Sequence, residues 1–146
     1  KQGIRIFGFS SFHDKQKGQE RGENILYKIE AEGVSVLHCG DLGFVPDDNY
    51  LEQIGGVDVL MVPVGGKATI DSSEAVDLIK KIEPSIVLPM HYNSPQLKKE
   101  NFGDLAPVAD FLKKIGVENP TPLPKLVVKK DSLEQEMQVV LLEYNK

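Results

Sequence analysis

The chain holds only three histidines and one cysteine, so any metal or nucleophilic chemistry has to gather around them. Two of these four lie together in "VLHCGDLGF", Val36 to Phe44, where His38, Cys39 and Asp41 fall within four residues and Gly40 and Gly43 flank the carboxylate. The other histidines also end apolar runs: "FGFSSFHD" delivers His13 and "SIVLPMHY" delivers His91. A further run, "VLMVPVGGKAT", ends in Gly65, Gly66 and Thr69. Open α/β sheets place ligands just outside the carboxyl ends of their strands. His, Asp and His at three such ends are donors that a borderline divalent ion such as zinc accepts.

Each residue also has an ordinary reading. A lone histidine in a polar loop, as His13 is, is usually solvated. Asp41 between glycines could cap a turn through its own backbone, and His91 could be a hydrogen-bonded residue closing a strand. His38 alternates with Val36 and Val34, which predicts an inward-facing group, satisfied in the core or supporting a ligand. Cys39 reads as a small buried side chain.

The elements that would position these groups follow from periodicity. Ile4 to Phe9 reads as a strand ended by Ser10 and Ser11, followed by a polar loop of twelve residues, His13 to Asn24. A loop of that length without apolar content is functional or mobile. Ile25 to Glu30 and Val34 to Cys39 read as strands joined by a hairpin-length link. "PDDNYLEQIGG" suggests a short helix capped by Asp47 or Asp48 and stopped by Gly55 and Gly56. "VDVLMVPV" is a strand buried on both faces. "DSSEAVDLIKKI" has helical spacing, with Asp71 and Glu74 in capping-box positions. "PSIVLPMHY" completes a right-handed βαβ unit with a parallel pair. "LAPVADFLKKIG" predicts a helix with Pro107 in its first turn, "NPTPLP" an extended linker, and "KLVVKK" and "MQVVLLEY" two closing strands, antiparallel at a sheet edge. The fold class expected is α/β, one domain over residues 1–146.

At 146 residues, 40% hydrophobic and 27% charged, the composition is that of one globular domain. The net charge of −5 and the lack of a basic patch with aromatics argue against nucleic acid as a partner. No apolar run approaches the roughly 18 to 20 residues of a membrane span, and a single cysteine suits a reducing cytoplasm. "VGGKAT" is not a phosphate-binding P-loop, because Leu60 or Met61 stands where its first glycine is needed.

Four blocks in order, "SFHDKQKGQERGEN", "HCGDLG", "VDVLMVPVGGKATIDSSEA" and "PSIVLPMHY", resemble the metallo-β-lactamase-fold hydrolases, in particular the branch similar to L-ascorbate-6-phosphate lactonases. The resemblance runs from about Ile4 to Tyr92. It implies an αββα sandwich and a divalent metal site, with zinc first and manganese or iron open. His13 and His91 would be metal ligands, and Asp41 the catalytic carboxylate bridging two metals. Gly65 and Gly66 would line the pocket floor, and Arg21 and Asn24 would hold the loop or meet a substrate anion. A metal-bound hydroxide would attack an ester, lactone or phosphoester.

The family's His-x-His-x-Asp-His signature matches nothing in this chain. What is present resembles the C-terminal ββα-type half of the fold plus a tail. Two protein ligands per ion fall short of the three or four of a stable zinc site, so weak metal binding and little activity are expected of this chain alone. Its sheet should have an apolar face meant for another layer, which predicts pairing with a missing N-terminal half or with a copy of itself. The alternative is a metal-free binding or assembly domain derived from the same fold.

Overall fold

The structure, a computed structural model, describes residues 3–98, 100, 103–118 and 120–144. Strands β1 (Ile4–Phe12) and β2 (Glu23–Ala31) pair antiparallel along their whole length. β3 (Val34–His38) returns against β2 through a turn in which Glu32 and Gly33 both have positive φ, 52° and 79°, the backbone that matches a two-residue hairpin to strand twist. Helix α1 (Asp48–Ile54), strand β4 (Val59–Pro63), helix α2 (Ser72–Ile82), strand β5 (Ile86–Met90), helix α3 (Val108–Ile115) and the short strand β6 (Gln138–Val139) follow. Among the described residues the strands form one sheet in chain order, antiparallel from β1 to β3 and parallel from β3 to β6.

The helix boundaries have local causes. The Asp47 carboxylate accepts from the Tyr50 N–H at the start of α1. Asp71 and Glu74 form a reciprocal capping box on α2. These three helices pack on one face of the sheet, where Ile54, Ala75, Leu78, Ile79, Phe111 and Leu112 close over Leu26, Leu37, Leu60, Val62 and Val87. Lys28 is buried on that face too, its ammonium donating to the carbonyl of Ile54 at 2.7 Å and lying 3.3 Å from Glu30.

The other face is open. The register aligns Ile6, Ile29 and Val36 in one row and Tyr27, His38, Met61 and Leu88 in the next. Ile6 is 64% exposed, Tyr27 46% and Ile25 43%, a contiguous apolar surface of a kind monomers rarely present. His38 belongs to this face, so the expectation that it points into the core is corrected. Leu37, fully buried, is the residue of that strand end which the helices take.

Three further expectations change. β1 runs on to Phe12 because Ser11 is buried and bonded to Asn24, donating to its carbonyl and accepting from its amide; Glu23 and Asn24 are strand residues, not loop. "KLVVKK" forms no strand: Val127 is 62% exposed with nothing to pack against, and a 3₁₀ turn begins at Lys130. β6 runs parallel to β5, because α3 packs beside α2 and the chain returns from that side. Of the linker "NPTPLP", Asn119 lies outside the described residues. No described helix is long and apolar enough to cross a membrane.

At the sheet end away from the histidines, Asp58 joins β4 to β3 and to the tail. Its carboxylate accepts from the Ser35 N–H at 2.8 Å and from the Lys130 ammonium at 2.7 Å. Burial raises its pKa, but Lys130 and Ser35 outweigh that and hold it below the usual carboxylate range. A depressed folded-state value means stability that is complete above about pH 4 and is lost as the pH falls through the folded value. Asp58→Asn should cost about 1–2 kcal/mol at neutral pH and flatten the acid side of the stability curve. Urea midpoints between about pH 3 and 7 check this; an unchanged acid limb would refute it.

Candidate metal centre

Asp41 sits in the turn leaving β3, and two side chains fix that turn. The Asn24 amide donates to the Cys39 carbonyl at 2.9 Å and accepts from the Asp41 N–H at 3.0 Å, while also donating to Ser11. From the open face, the Nδ1 of His38 accepts from the Gly40 N–H at 3.0 Å. The Asp41 carboxylate is thereby carried out past the strand end, half exposed.

His13 follows β1 directly, and its neighbour Asp14 organises the loop behind it. The buried Asp14 carboxylate accepts four backbone N–H groups, from Gln16 and Gly18 on one oxygen and from Glu20 and Arg21 on the other. Desolvation pushes its pKa up, but the four donors together pull it below the ordinary value. The loop, expected to be functional or mobile, is thus wound around one ionised side chain. Gly43 lies against this corner: its N–H donates to the Phe12 carbonyl at 3.0 Å, and an added Cβ would stand 2.3 Å from the Asp14 nitrogen and the His13 carbonyl carbon.

His91 follows β5 with φ of 52°, a left-handed conformation that costs a non-glycine residue about 1–2 kcal/mol. The neighbouring loop presses close, since a Cβ on Gly65 would lie 2.2 Å from the His91 carbonyl oxygen.

The three side chains meet. His13 Nε2 is 3.9 Å from Asp41 Oδ2, and His91 Nε2 is 3.9 Å from Asp41 Oδ1. His13 Nε2, the nitrogen that faces Asp41, is buried without a hydrogen-bond partner, whereas on His91 the buried unpartnered nitrogen is Nδ1 and not the Nε2 that faces Asp41; leaving such a group unpartnered costs about 1–3 kcal/mol. An unpartnered His13 Nε2 beside the Asp41 carboxylate fits an electron-pair acceptor such as a divalent ion. Among the described residues no three His, Cys, Asp or Glu side chains close into a set around one ion.

The remaining candidates divide. Asn24 lines the hollow of about 710 Å³ that holds Asp41, His38 and His91, but its amide is spent on the turn. Arg21 and Gly66 line a separate hollow of about 370 Å³ on the far side of His13, which Asp41 does not reach. The Arg21 guanidinium has Glu20 at 3.7 Å. Gly65 is buried and serves close packing against His91 rather than forming a pocket floor. Cys39 is fully buried, and burial pushes its thiol up to about 12, which removes it as a nucleophile. Asp14 escaped sequence reasoning; the one available signal was an acid opening a glycine-punctuated loop.

Gly65→Ala and Gly43→Ala should each destabilise the fold by about 1–3 kcal/mol through overpacking. Each should also move its own histidine, His91 or His13, away from Asp41. Denaturation midpoints and histidine-ring NMR shifts test this. Parent-like stability with unmoved ring signals would show that the close approach is not what sets the site.

Comparison with known proteins identifies the family. Residues 1–91 match the family profile described as the Beta-lactamase superfamily domain. A UPF0173 metal-dependent hydrolase from Thermococcus onnurineus is 31% identical over 115 residues, 73% of this chain and 51% of that protein. Another from Carboxydothermus hydrogenoformans is 35% identical over 68 residues, 47% of this chain and 30% of that protein. A solved structure from Thermotoga maritima, a candidate Zn-dependent hydrolase of the metallo-beta-lactamase superfamily, aligns with a TM-score of 0.74 and 33% identity over 97% of this chain and 66% of that one. A metallo hydrolase from Ignicoccus hospitalis aligns with a TM-score of 0.59 and 25% identity, over 78% of this chain and 46% of that one. The chain spans about half the length of the first of these curated relatives, and less of the second. With a six-stranded mixed sheet, helices on one face and His, Asp and His at its strand ends, the chain belongs to the metallo-β-lactamase superfamily.

Proposed function

We propose that this chain supplies one side of a two-metal hydrolase centre, with Asp41 as the shared carboxylate and His13 and His91 as the outer ligands. The observation that carries this is the symmetry of Asp41, each of whose oxygens faces a different histidine at 3.9 Å. When bound, a divalent pair supplies Lewis acidity and a nucleophile drawn from water at neutral pH. The protein's part is to hold the donors: the Asn24-pinned turn fixes Asp41, the Asp14-wound loop fixes His13, and the left-handed backbone at His91 aims its ring. Imidazole and carboxylate donors favour zinc and accept manganese or iron. The substrate is a small molecule with an ester, lactone or phosphoester bond. The similarity to metal-dependent hydrolases about twice as long supports further ligands arriving on a second layer against the open sheet face.

Calorimetry with zinc and manganese tests the ligand assignment. The parent chain should take up two ions weakly, His13→Ala and His91→Ala one each, and Asp41→Ala none. Uptake indifferent to Asp41 would refute the ligand assignment, and no uptake at all would favour the metal-free binding domain.

The open face carries a second expectation. Size-exclusion chromatography should show the chain paired with itself, and Ile6→Lys together with Tyr27→Lys should shift it to monomer. A well-folded parent monomer would oppose the role given to that face.

A further inference from the structure

We infer that His38 is a substrate-contacting residue: its imidazole presents an Nε2–H donor into the hollow beside Asp41 and His91, where it bonds an oxygen of the substrate. The inference rests on the hydrolase reading above and adds to it a residue outside the ligand set. Its starting point is the tautomer. The Gly40 N–H donates to His38 Nδ1 at 3.0 Å, so Nδ1 is an acceptor and the ring proton sits on Nε2. A proton on Nδ1 would set donor against donor and break the bond that shapes the Asp41 turn.

Position supplies the second step. Cross-strand pairing with Tyr27 and Met61 puts the ring on the open face, away from the helices. There it lines the same hollow of about 710 Å³ as Asp41 and His91, and its Nε2 bonds to no described residue. A fixed donor beside a reacting centre stabilises charge developing on oxygen without reorganising, and such donors weigh most where water is scarce. Ile25, Tyr27 and Met90 give the hollow apolar walls. The ligand class is therefore a small molecule whose carbonyl or phosphoryl oxygen adjoins an apolar group.

Two substitutions separate this role from a merely structural one. His38→Asn keeps an acceptor for the Gly40 N–H, but its amide N–H stops short of the Nε2 position; His38→Gln reaches further into the hollow with an amide N–H. Long-range ¹H–¹⁵N NMR of the parent should show the Nε2–H tautomer, and phenylphosphonate should shift the Nε2 signal. His38→Asn should take up divalent ions as the parent does yet bind phenylphosphonate about 10-fold more weakly, the loss of one good hydrogen bond. His38→Gln should recover most of that affinity. An Nδ1–H tautomer, parent-like phenylphosphonate binding by His38→Asn, or joint loss of metal uptake in both variants would overturn the inference. A parent chain that takes up no divalent ion would overturn the hydrolase reading and this one with it. Normal uptake with an unmoved Nε2 signal would overturn only the role of His38.

Discussion

Backbone presses on backbone at two places beside Asp41, and the candidate centre depends on both. A single extra carbon at Gly43 or Gly65 would overlap the main chain at His13 or His91. Through these contacts the turn after β3 and the loop after β4 set how far each histidine stands from the carboxylate. Asn24 and Asp14 work in the same sense, one by pinning the turn that carries Asp41 and the other by gathering four N–H groups into a rigid corner behind His13. The donor atoms are held by the chain itself, with His13 Nε2 left unpartnered beside Asp41. An unfilled set of this kind is a cost that binding an ion removes.

The sequence shows this design unevenly. Residues at strand ends were legible, because short apolar runs locate the ends and His, Asp and His stand out against them. So were the Asp71 cap and, to within Asp47 or Asp48, the cap of α1, where side chain and N–H are neighbours in the chain. Asp14 and Asn24 were harder. Their partners are backbone groups, which every residue has, so no pattern of side chains announces them. The face of His38 was misread because Val34 and Val36 are apolar on a sheet whose two faces are both apolar; Leu37 could as well have led the alternation. The direction of β6 depends on where α3 packs, a tertiary fact that a two-residue strand cannot encode.

The open face of the sheet and the incomplete ligand set express one condition. Ile6, Ile25 and Tyr27 are left exposed on the side where His38 and the hollow around Asp41 and His91 lie. A second layer placed there would bury the apolar rows and wall the hollow in one step. It would also lower the local dielectric, in which every fixed donor and charge acts more strongly. Folding and chemistry would then depend on the same contact surface.

The central claim is that Asp41 is shared between two ions. Anomalous diffraction from crystals of the chain grown with zinc addresses it without any substrate. Two peaks are predicted, one beside each carboxylate oxygen of Asp41, with His13 against the first and His91 against the second. A single peak remote from Asp41, or none where the three side chains are well ordered, would contradict the account.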